Sequence, residues 1–71
     1  MVNVNKLKGT FVEKGYSTAQ VADGANIVLA TLYRRMRNPD EFTIGEASAI
    51  ANFLSLSANE ATAIFFSESV A

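Results

Sequence analysis

Residues 17–36 read STAQVADGANIVLATLYRRM, and the spacing within this stretch predicts two short helices hinged by one tight turn. Ser17 supplies an N-cap and Gln20 the matching position of a capping box. Val21, Ala22 and Ala25 follow at helical spacing until Asn26, the residue type that after glycine most readily takes a left-handed backbone. A second apolar set begins at once with Ile27, Leu32 and Met36. Two helices packed across so short a turn form a helix-turn-helix, whose second helix can project far enough to enter a DNA major groove.

The flanking sequence extends the helical pattern in both directions. Val4, Leu7 and Phe11, with Val12 beside the last, mark the inner stripe of a first helix that stops at Gly15. After Met36 the run Arg37-Asn38-Pro39-Asp40-Glu41 imposes a loop. Thr43 and Glu46 make a second capping box ahead of Ile44, Ala47, Ile50, Ala51 and Leu54, a fourth helix. Ser57 and Glu60 make a third, followed by Ala61, Ile64 and Phe65, a short fifth helix. No run alternates with period two between turn signals, so no sheet is expected. The expectation is an all-α fold, a compact bundle of five short helices in a single domain spanning residues 1–71, with 67–71 a flexible or dimer-contacting tail.

Composition narrows the function. With neither cysteine nor histidine in 71 residues, disulfides, thiolate nucleophiles, imidazole bases and thiolate or imidazole metal ligands are all excluded. No paired carboxylates stand in a recognisable pocket motif either, so neither enzymatic chemistry nor a cofactor is expected. No apolar run approaches the roughly 20 residues that span a bilayer, and Met1 to Lys8 lacks the apolar centre of a signal peptide. A cytoplasmic protein without membrane attachment is the expectation. The net charge of −1 is low for a nucleic-acid binder, but its distribution is uneven. All three arginines, Arg34, Arg35 and Arg37, sit at the end of the third helix, and the lysines lie in the first segment. That distribution gives either one positive binding face or a merely solvated one.

At about 100° per residue, Leu32 and Met36 point inward and Ala30, Tyr33, Arg34 and Arg37 outward. Tyr33 and Arg34 are the candidate base contacts, the guanidinium as a bidentate donor to guanine. Arg37 and Asn38, at the helix exit, suit phosphate oxygens. Tyr33 could equally pack on the body of the domain, and Arg35, which leans inward, is better suited to a salt bridge. Val28, Leu29 and Ala30 bring no side-chain hydrogen bonds to the start of the helix. They suit thymine methyl contacts or a protein partner, unless rotation of the helix buries them. Phe65 and Phe66 are adjacent and cannot point the same way; with Val70 they are the candidate dimer interface, the alternative being that they cover the first helix.

The segment Tyr16-Ser17-Thr18-Ala19-Gln20-Val21-Ala22, then Asn26-Ile27, then Thr31-Leu32-Tyr33-Arg34-Arg35-Met36, resembles the helix-turn-helix of the Xre and Cro/CI-type phage repressors. Phe42-Thr43-Ile44, Glu46-Ala47, Ile50-Ala51, Leu54 and Leu56-Ser57 extend the likeness through the fourth helix. The ending, Ile64-Phe65-Phe66-Ser67 with Val70-Ala71, is similar to small Cro-like phage and prophage proteins of Gram-positive hosts. The resemblance implies a lambda-repressor-like DNA-binding domain that binds operator DNA as a homodimer. It also implies that Leu29, Ala30, Tyr33 and Arg34 face the groove, that Thr18 stands where a phosphate-binding glutamine is common, and that Asn38 contacts the DNA backbone. The chain departs from the family pattern in having Asn26 for the turn glycine, Thr18 for that glutamine, and Val28-Leu29-Ala30 for a polar trio. The alternative on the same fold is an antirepressor-like protein-interaction module with weak or no DNA binding.

Overall fold

The computed structural model describes residues 2–66. The elements are α1 (Val4–Lys14), α2 (Thr18–Gly24), α3 (Leu29–Arg37), a single 3-10 turn (Pro39–Glu41), α4 (Ile44–Phe53) and α5 (Ala58–Phe65). No strand occurs among the described residues, and the all-α expectation of five short helices holds.

Each helix start follows from its local chemistry. The side chains of Ser17, Thr43 and Ser57 each accept from the backbone N–H three residues on, at 3.1, 3.0 and 3.1 Å. Gln20, Glu46 and Glu60 each accept in return from the cap residue's own N–H, at 2.8, 2.9 and 2.9 Å. All three boxes are therefore closed, satisfying donors that a helix start otherwise leaves free. Asn3 caps α1 in the simpler way, accepting from the Lys6 N–H at 3.1 Å. Among the described α-helices, α3 alone starts without side-chain help, because Val28 has no acceptor to offer.

The turns use the residues that tolerate a left-handed backbone. Gly15 ends α1 at φ +85°, and the Tyr16 N–H donates back to the Phe11 carbonyl at 2.9 Å. Asn26 takes φ +57° between α2 and α3, which lets the Ile27 N–H reach the Ala22 carbonyl at 2.8 Å. Ser55, at φ +55°, makes the equivalent reversal between α4 and α5. Nothing in its residue type announced this, since serine is not a preferred left-handed residue.

One core joins all five helices. Leu7 and Phe11 of α1, Val21 and Ala22 of α2, Leu32 and Met36 of α3, Ile50 of α4, and Ile64 and Phe65 of α5 are buried together, with Leu54 at the end of α4. Val2 joins them because the Asn3 N–H donates to the Ile64 carbonyl at 2.7 Å, tying the start of the chain to α5. Gly24 packs directly under Phe53, and a methyl group there would coincide with the ring. The ring in turn stacks on Tyr16 at 4.8 Å between centroids. This aromatic contact draws α4 against α2 and so braces the base of the α2–α3 pair.

Three expectations about the apolar residues need correction. Val12 is exposed, because one helical step from buried Phe11 turns it away from the core. Ile44 is 78% exposed: Phe42, just ahead of the α4 cap, fills that end of the core edge-on against Phe65 at 6.1 Å, leaving the first helical residue outside. Phe65, named with Phe66 and Val70 for a dimer contact, packs within the domain, as its place in the apolar stripe of α5 implies. It is 4% exposed and belongs to the core, whereas Phe66, one step around the helix, is 61% exposed. Val70 and the rest of the tail, 67–71, lie outside the described residues.

Candidate nucleic-acid interface

The burial of Leu32 and Met36 fixes the rotation of α3 about its axis. Val28, Leu29 and Ala30 are consequently exposed at its start, Val28 at 71%, so the possibility that rotation hides them is closed. Tyr33, Arg34 and Arg37 are exposed on the outward side. Every residue of α3 named from the sequence as a DNA contact is therefore accessible to an incoming ligand.

The three arginines do not share a role. Arg35 points back across the domain, where its Nε donates to Glu46 Oε1 at 2.9 Å and a terminal nitrogen reaches Glu41 Oε1 at 3.5 Å. The Arg35 and Glu46 side chains are only 18% and 17% exposed. The same Glu46 oxygen accepts from the Thr43 N–H at 2.9 Å, so one carboxylate both closes the α4 capping box and holds Arg35. Glu46 had been legible as a capping residue, but its second partner was not, because an ion pair eleven residues apart depends on how α3 and α4 pack.

This arrangement shifts both groups. Partial burial pushes the Glu46 carboxyl up, but the Arg35 hydrogen bond and the Thr43 backbone N–H outweigh it and hold it below the usual carboxylate range. The Glu46 hydrogen bond raises the Arg35 guanidinium against a smaller opposing effect of burial. Glu60 is likewise held low, chiefly by the Ser57 backbone N–H. A carboxyl depressed in the folded state contributes stability above its unfolded pKa and loses it as pH falls through the folded value. Thermal stability is therefore expected to be level near neutrality and to fall once pH drops below the ordinary carboxylate range. In Glu46→Gln the amide oxygen can still close the capping box but carries no charge. Melting temperatures measured against pH should show a shallower acid decline in that variant, and an unchanged decline would remove Glu46 from the account.

At the exit of α3, Asn38 turns back on the helix: its backbone N–H and its Nδ2 both donate to the Arg34 carbonyl, at 3.0 and 3.3 Å. One of the two Nδ2 hydrogens remains for a phosphate oxygen. Arg34, Arg35 and Arg37 all lie in the last turn, where cations also complement the negative end of the helix dipole. Thr18, half-buried at the start of α2, lines one groove together with Tyr33 and Arg37, so α2 and α3 bring these three predicted residues to one place.

Among the described residues, no group of carboxylates could hold a metal ion, and no helix is long and apolar enough to cross a membrane. Comparison with protein-family models, with curated proteins and with solved structures found no match to this chain.

Proposed function

We propose that the protein is a sequence-specific DNA-binding transcriptional regulator of Cro type, acting in the cytoplasm and using α2 and α3 as a helix-turn-helix with α3 in the major groove. The observation that carries this reading is the division of the arginines: Arg35 is taken up internally by Glu46, while Tyr33, Arg34 and Arg37 stand exposed on one side of α3. Internal ion pairing accounts for Arg35 alone and leaves the other two guanidinium groups available to base edges and phosphates. Tyr33 and Arg34 read base edges, with Leu29 and Ala30 against thymine methyls. Arg37, Thr18 and Asn38 hold phosphates.

A single α3 carries few polar base contacts, and a homodimer doubles them on a pseudo-palindromic operator, with the two recognition helices roughly 34 Å apart. Of the described residues expected at the dimer contact, Phe66 is exposed, and it lines one shallow depression with Phe65 and exposed Ile44. Titration of the protein into duplexes from the DNA beside its own gene, followed by mobility shift and sedimentation, tests the proposal. A salt-sensitive complex of two chains per duplex is expected. Arg37→Ala should weaken specific and random duplexes alike and lower the salt dependence by about one phosphate contact.

The exposure of Val28 and Leu29 favours a second reading, an antirepressor-like module that docks this apolar helix start on another protein. Absence of any duplex complex at low salt would decide for it.

A further inference from the structure

Between α1 and the α2–α3 pair runs an open groove of about 380 Å³. Its apolar surface includes Val12, Tyr16 and Met36, and Lys8 and Arg37 stand among its lining residues with no carboxylate. Val12 is 77% exposed, although its neighbour Phe11 already serves the core from the same helix turn. Neither Lys8 nor Arg37 takes part in an ion pair among the described residues.

We propose that this groove binds an acidic segment of a partner protein, one that seats a single bulky apolar side chain on Val12 and Tyr16 and sets carboxylates beside Lys8 and Arg37. Charge complementarity selects the partner, since two cations that make no ion pair among the described residues attract an acidic chain and repel a basic one. The apolar wall distinguishes a peptide from a nucleic-acid backbone. A phosphodiester offers charge but no side chain to cover Val12, whereas an acidic peptide with one leucine or phenylalanine satisfies both features. Thr18, Tyr33 and Arg37, all assigned above to DNA, also line the groove, so the peptide and DNA would compete for Arg37, while Lys8, Val12 and Tyr16 belong to the peptide site alone; the proposal goes beyond the DNA assignment and is tested without it.

The test uses the whole protein, isotopically labelled, and the blocked peptide DEDLEDE, with chemical shifts followed during titration. Saturable shifts centred on Val12 and Tyr16 are expected. Affinity should fall about tenfold when the peptide leucine is replaced by alanine, and by a similar factor when its carboxylates become amides. Lys8→Glu and Val12→Asp change exposed side chains, and each should weaken the peptide by about tenfold while the circular dichroism spectrum stays that of the wild type. Shifts that scatter over the surface without saturating would overturn the proposal, as would equal affinity for the amide peptide. It is equally overturned if a random DNA duplex, but not the peptide, moves the Val12 and Tyr16 signals, for the groove then belongs to the nucleic-acid face. These readings come from the peptide alone, so failure to bind any operator leaves them intact.

Discussion

Leu32→Ala is expected to remove about half of the stability of this domain. Leu32 is fully buried on the inner side of α3, within a core shared by all five helices. Truncating a buried leucine costs about 2–5 kcal/mol, from lost transfer free energy and from the cavity left behind. A domain of 71 residues has only roughly 4–10 kcal/mol in total. The melting temperature should fall by at least about 10 °C, and the variant should be partly unfolded at physiological temperature. Ile44→Ala provides the control, because that side chain is exposed and its truncation should change stability by no more than about 0.5 kcal/mol. Thermal melts of the two variants check both statements. Similar melting temperatures would mean that α3 is not anchored through Leu32, and the outward placement of Tyr33 and Arg34 would fall with it.

Arg34→Ala is expected to cost about 1–3 kcal/mol of operator affinity, roughly 5- to 150-fold, while hardly changing affinity for random DNA. The reason is its position under the proposed function. Arg34 is exposed beside Tyr33 and makes no ion pair among the described residues, so its forked guanidinium is free to face a base edge. Its loss should appear as relaxed preference at one base pair per half-site, read by competition between operator variants. Arg37, one helical turn farther toward the exit, should show the opposite pattern of uniform weakening. Equal losses on operator and random duplex for both variants would contradict the division between base reading and phosphate grip. Arg35→Ala supplies the structural contrast, since that side chain is engaged by Glu46 and Glu41 and its removal should act through packing of α3 against α4.

What the chain determines locally is legible in the sequence alone. Capping boxes are exchanges between residues three apart, so Ser17-Gln20, Thr43-Glu46 and Ser57-Glu60 placed three helix starts unaided. Gly15 and Asn26 marked two turns for the same reason, that left-handed backbone is a property of the residue itself. The inward placing of Leu32 and Met36, and with it the outward side of α3, followed from helical periodicity.

Tertiary structure decided whatever depends on which helix lies against which. Periodicity assigned Ile44 to the core stripe of α4, but burial at a helix end requires a neighbour, and Phe42 had taken that place against Phe65. Periodicity placed Phe65 in the stripe of α5 yet left both Phe65 and Phe66 as candidates for a dimer contact, and the position of α5 over the core separated a buried ring from an exposed one. Glu46 acquired Arg35 as a partner, and Gly24 its contact with Phe53, through packing between helices distant in the chain. Local hydrogen bonding and periodicity act within a turn or two and can be read from neighbouring residues. Burial and ion pairing are properties of surfaces that exist only once the helices have met.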